Sequence, residues 1–100
     1  MKFILKDGTE FEVRSIAYNF NVKNTSDEVN CYSISMAVGN KPTELVSQVT
    51  SSFTEENISS ATTIELIDNE EVVSEYSFNE VVRISFNIND SGKSLLVSLK

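Results

Sequence analysis

From Val82 to Asn89 the side chains alternate without a fault: Val82, Ile84, Phe86 and Ile88 are apolar, while Arg83, Ser85, Asn87 and Asn89 are polar. Only an extended chain repeats every two residues, because successive side chains leave a strand on opposite faces. Asp90-Ser91-Gly92-Lys93 supplies turn residues, and Leu95, Val97 and Leu99 alternate on the return, which predicts a hairpin. Strands with one apolar face need a second layer to cover it, and that requirement sets the fold class.

The pattern recurs upstream. Residues 2–6 lead into Asp7-Gly8, a dipeptide suited to a type I′ turn, in which both central residues have positive φ. A long second strand is predicted over about residues 10–22. Phe11 and Val13 point one way, and Ile16, Tyr18, Phe20 and Val22 continue in the opposite phase. A repeat of two changes phase only at an extra residue or a bend, so a bulge is expected near Arg14-Ser15. Residues 23–28 read as a polar loop. Tyr32, Ile34, Met36 and Val38 alternate with Ser33, Ser35 and Ala37 as a third strand that ends at Gly39-Asn40.

One helix is expected, over about residues 42–53. Pro42 suits a first helical position and Glu44 suits the positive end of the helix dipole. Leu45, Val49 and Phe53 recur at spacing four, with Val46 beside them. The remaining Ser, Thr and Gln are mediocre helix formers, so packing must hold this helix. Residues 61–67 and 72–78 read as further strands around a turn at Asp68-Asn69-Glu70, with a break near Asn79-Glu80. The expectation is one β-rich domain over residues 1–100, mainly β with one helix. Its six or seven antiparallel strands would form a two-layer sandwich or a sheet covered by the helix.

Composition restricts the chemistry. The chain has no His, so a Ser–His–Asp or Cys–His arrangement is excluded. Cys31, the single cysteine, has no intramolecular partner and reads as an edge or packing residue. No phosphate-binding glycine loop is present. Asp68, Glu70 and Glu71 lack the alternating oxygen ligands and central glycine of a calcium loop, and read as a solvated turn. No enzyme activity, cofactor or metal is expected. A hydrolase with paired carboxylates ranks last, since so small a chain without Trp seldom builds the cleft it needs.

Fifteen acidic against eight basic residues leave a net charge of −7. That balance opposes direct contact with nucleic acid or an anionic membrane. No apolar run reaches the length of a signal or a membrane span, and the expected location is the cytoplasm, at least where the chain is made. Residues 43–82 contain no Lys or Arg but nine of the fifteen acids. These are Glu44, Glu55, Glu56, Glu65, Asp68, Glu70, Glu71, Glu75 and Glu80. The plain reading is a solubilising face; the sharper one is a surface for a basic protein, with all but Glu44 as candidate partner-binding residues. A second candidate surface is the small polar face of the strands: Arg14, Asn19, Asn21, Ser33, Ser35, Arg83, Ser85, Asn87, Asn89 and Ser98.

The opening Lys2-Phe3-Ile4-Leu5-Lys6-Asp7-Gly8-Thr9-Glu10-Phe11-Glu12-Val13, the stretch Phe53-Thr54-Glu55-Glu56-Asn57-Ile58-Ser59, residues 76–84 and the final hairpin together resemble small β-rich proteins. Those proteins are encoded in the tail and baseplate modules of phages infecting Gram-positive bacteria. The resemblance spans nearly the whole chain but consists of hairpin and turn patterns, and the long stretch without basic residues departs from it. It implies a non-enzymatic structural or accessory protein whose partners are other virion subunits, copies of itself included. The alternative is an acidic inhibitor that binds a basic, nucleic-acid-processing host or defence protein.

Overall fold

The computed structural model describes residues 1–23, 28–89 and 92–100. Of the expected loop at 23–28, Lys23 and Glu28 instead pair as strand residues, and residues 24–27 lie outside that description with the turn residues Asp90 and Ser91, as do the side chains of Asn19, Phe20, Asn21, Val22, Lys23, Glu28, Val29 and Asn89. The elements are β1 (Lys2–Ile4), β2 (Glu10–Glu12), β3 (Ser15–Lys23), β4 (Glu28–Ala37), α1 (Pro42–Ser52), α2 (Glu55–Ile58), β5 (Ala61–Ile67), β6 (Glu70–Tyr76), β7 (Val81–Asn89) and β8 (Gly92–Leu99). Sheet I runs β2-β1-β5-β6 and sheet II runs β3-β4-β8-β7, with every pair antiparallel. The fold is mainly β and sandwich-like, as the alternation predicts.

Eight strands form because the expected strand over residues 10–22 is two strands. The phase change at Arg14-Ser15 is not a bulge. The chain leaves sheet I after Glu12 and enters sheet II at Ser15, so Phe11 and Ile16 belong to opposite layers. The crossing is tied to both sides: the Val13 N–H donates to the Met1 carbonyl at 2.8 Å, and the Arg14 N–H to the Ser35 carbonyl at 2.7 Å. A change of layer reverses the inward direction, which is what the sequence records as a change of phase.

The two hairpin turns of sheet I also exchange expectations. At Asp7-Gly8 only Gly8 has positive φ, at 91°. The Gly8 N–H donates to the Leu5 carbonyl and the Leu5 N–H to the Thr9 carbonyl, both at 2.9 Å, closing a three-residue loop. The pair of positive φ values that a type I′ turn needs occurs instead at Asp68 (50°) and Asn69 (67°). Ile67 pairs with Glu70 across that turn, so β6 starts at Glu70 rather than at residue 72.

The core lies between the sheets. Phe3, Leu5, Phe11 and Val13 enter from the first hairpin, and Ile34, Met36, Leu95, Val97 and Leu99 from sheet II. Helix α1 lacks a side-chain cap at Lys41 but has Pro42 in its first turn and buries Val49. Phe53, which ends it, stacks on Phe3 at 5.8 Å and tilts against Phe11 at 5.5 Å. Each such burial is worth about 1.5–3 kcal/mol, more than the weak intrinsic propensity of the helix withholds.

Candidate functional site

Antiparallel pairing from Ala61↔Tyr76 to Ile67↔Glu70 runs through seven pairs without a shift. Residues directly opposite share a face, so this register sorts the hairpin. Thr63 pairs with Phe3, which pairs with Phe11, and both Phe rings are buried; the face carrying Ala61, Thr63, Ser74 and Tyr76 therefore looks into the core. Further along the same face come Glu65 opposite Val72 and Ile67 opposite Glu70. The other face carries Ile64 opposite Val73 and Leu66 opposite Glu71, with Glu75 opposite Thr62.

Residues 65–73 are exposed without interruption, on both faces. The β5–β6 hairpin thus extends past the cover that sheet II provides. Leu66 is 70% exposed, Val73 55%, Ile67 47% and Val72 43%. They make four of the seven large exposed apolar side chains among the described residues, so the apolar surface gathers on this arm.

All eight candidate acidic residues are exposed. Glu65, Asp68, Glu70, Glu71 and Glu75 lie together on the β5–β6 arm, divided between its faces rather than forming one acidic face. Glu55 and Glu56 sit in the first turn of α2, and Glu80 precedes β7. The ion pair among the described residues is Lys41–Glu44 at 3.9 Å, so none of the eight is neutralised by a described cation. Among the described residues no group of three or more His, Cys, Asp or Glu side chains has the arrangement to hold a metal ion.

Of the other concave surfaces, one is a depression between α1 and β7 lined by Val46 and Phe86, and another is taken up by structural contacts. A cleft of about 450 Å³ lies among Lys6, Asp7, Ser51, Thr54, Glu56 and Asn57. Asn57 is buried there, its Oδ1 accepting from the Asp7 N–H at 2.9 Å and its Nδ2 donating to the Ser52 carbonyl at 2.8 Å. The two polar ends of the side chain are therefore spent on joining α2 to the first loop and to the end of α1. Hydrogen bonds from Thr9, reinforced by Asn57, hold the Asp7 carboxyl below its ordinary value, which makes it a weak base at neutral pH.

Cys31 is buried on β4, a strand with neighbours on both sides, and so packs within the sheet rather than at an edge. On the small polar face, Ser33 pairs with the buried Ser98, which pairs with Arg83, and Ser85 and Asn87 are half-buried. That face is thus partly covered rather than freely solvated.

The apolar residues of the arm are what reading for charge overlooks. The signal was the doublets Leu66-Ile67 and Val72-Val73 flanking Asp68-Asn69. Adjacent residues in a strand face opposite ways, so one covering layer cannot bury both members of a doublet. Among the described residues, no helix is long and apolar enough to cross a membrane. Compared with protein-family models, curated proteins and solved structures, the chain matches none.

Proposed function

We propose that this protein works by binding another protein through the β5–β6 arm, as a non-enzymatic structural or accessory component of the phage tail or baseplate kind that its sequence resembles. The supporting observation is the unbroken exposure of residues 65–73 with four large apolar side chains among them. Covering apolar surface gains about 25 cal/mol per Å², so a partner that encloses both faces of the arm has a driving force. The carboxylates around it keep the free protein soluble and select the sign of the partner.

A second reading has the same arm inhibiting a basic, nucleic-acid-processing host or defence protein. It is favoured by the five carboxylates gathered there without a described counter-charge. A photo-crosslinking residue at Leu66, with one at exposed Glu10 as control, tests both in infected cells and purified particles. Crosslinks from Leu66 to virion subunits support the structural role, and crosslinks to a basic host protein support the inhibitor. No product above the Glu10 control rejects the arm as a binding site.

A further inference from the structure

Among the described residues the two sheets present four edges, β2, β6, β3 and β7, and they differ in how they are protected. β2 is only three residues long. The pairing of β3 shifts register between Asn19 and Val22; that of β7 shifts only at its start, between Val81 and Arg83, then runs unbroken to Asn89 along an edge whose charged residue is the cation Arg83. Short strands, irregular register, proline and charged side chains, lysine above all, are the usual protections of an edge. β6 relies on charge alone: seven residues pair with β5 in continuous register, and its sequence Glu70-Glu71-Val72-Val73-Ser74-Glu75-Tyr76 lacks Pro and Lys, so its protection is three carboxylates of one sign. Its outer edge faces away from β5, at the end of the sheet order.

A second copy of the chain is a poor match for that edge. Full-length antiparallel pairing of β6 with itself centres on Val73 and sets Glu71 opposite Glu75 of the other copy, twice. Parallel pairing aligns Glu70, Glu71 and Glu75 with their own counterparts. Like charges directly opposite are destabilising, and each copy already carries a net charge of −7. The edge therefore discriminates against itself while remaining open to a strand of opposite sign.

We propose that β6 receives an extended segment of a partner protein as an added strand, and that the segment reads basic–any–apolar–apolar–basic. The pattern follows from the register. In antiparallel addition the five residues lie opposite Glu75, Ser74, Val73, Val72 and Glu71 in turn. The basic residues meet the two carboxylates on the face that also carries Leu66 and Val73, and the apolar pair continues both apolar faces of the arm. Main-chain hydrogen bonds supply the docking geometry, and the alternate side chains supply the selectivity. This inference rests on the binding role proposed for the arm and specifies its partner.

The test uses the intact protein, isotope-labelled, with a terminally blocked peptide whose core is Lys-Thr-Val-Val-Lys between threonine flanks. Amide shifts centred on residues 70–76 are expected, with new protection from hydrogen exchange at alternate positions. N-methylation of the peptide at alternate residues should weaken binding about tenfold or more in one phase and leave it nearly unchanged in the other, since only one set of amides faces β6. Replacing both lysines by glutamate should abolish binding, and raising salt from about 50 mM to about 500 mM should weaken it several-fold. Binding that ignores the phase of methylation, shifts centred on the α1–β7 depression around Val46 and Phe86, or protection of residues 70–76 that grows with protein concentration alone would each overturn strand addition. If the peptide fails while the Leu66 crosslinker still captures a partner, strand addition falls and the binding role stands; if Leu66 captures nothing, the role beneath it falls too.

Discussion

Tyr32 of β4 and Tyr76 of β6 meet edge to face, with ring centroids 5.6 Å apart and planes at 71°. Sheet II thereby touches the strand that carries the candidate site at the base of the arm. Phe78 stacks on Tyr76 at 5.7 Å and reaches Phe3 at 6.5 Å, so the contact continues into the centre of the core. Replacing Tyr76 by Ala should cost about 2 kcal/mol, from the lost ring contacts and the apolar area they cover. Hydrogen exchange should show the amides of β6 losing protection before those of β8.

Phe3 is fully buried between Phe53 and Phe78, whereas Leu66 projects from the arm. Phe3→Ala is expected to cost about 3–5 kcal/mol, because the surrounding rings cannot collapse into the space it leaves. Leu66→Ser should change stability by less than about 0.5 kcal/mol. Urea unfolding followed by fluorescence of the three tyrosines measures both, and equal losses would contradict the division of the hairpin into core base and free tip.

Asn57→Ala removes the acceptor for the Asp7 N–H and the donor to the Ser52 carbonyl. Leaving those groups without partners costs about 1–3 kcal/mol. The same denaturation experiment reads the loss, and shift changes should spread from α2 to residues 6–9.

Asn69 sits at φ 67° in the two-residue turn of the arm. Asn69→Gly should be neutral or stabilising by a few tenths of a kcal/mol, since glycine enters this region freely, and Asn69→Val should cost about 1–2 kcal/mol. Thermal melting of the pair distinguishes them, and a tolerated valine would contradict the turn geometry.

The pH response of the first loop has a definite sign. Hydrogen bonds from Thr9 lower the Asp7 pKa in the folded chain below its ordinary 3.8. A lowered carboxylate contributes stability above the unfolded pKa and loses it as pH falls through the folded one. Wild type should therefore lose melting temperature relative to Asp7→Asn as the pH is taken from neutral to below 3.8. A difference that stays constant with pH would remove the role of the charge.

The regular alternation around Ile84 and Leu95 was legible because each strand buries one face, and the helix at Leu45 and Val49 because its spacing has no other use. The crossing at Val13-Arg14 was legible as a phase change but not as a change of layer, since a bulge and a corner leave the same mark on one strand. Short helix α2 was hidden because, beside the local Thr54 cap on the Asn57 N–H, it is fixed by the Asn57 side chain accepting from Asp7, far away in sequence. The acids of the arm were plain to see. Their division between two faces depended on the turn at Asp68-Asn69, which sets the register.

Phe3 lies opposite Phe11 on one side and Thr63 on the other. The three-residue strand that holds it is thus the linchpin of sheet I, and without it β2 and the arm belong to no common sheet. A lone two-stranded hairpin is marginally stable in water. The reach and stiffness of the proposed binding arm are accordingly anchored about sixty positions away along the chain, where Phe3 pairs with Thr63. Wear on Lys2–Ile4, by clipping or by a bulky fusion, would slacken the grip without touching a single residue that makes contact.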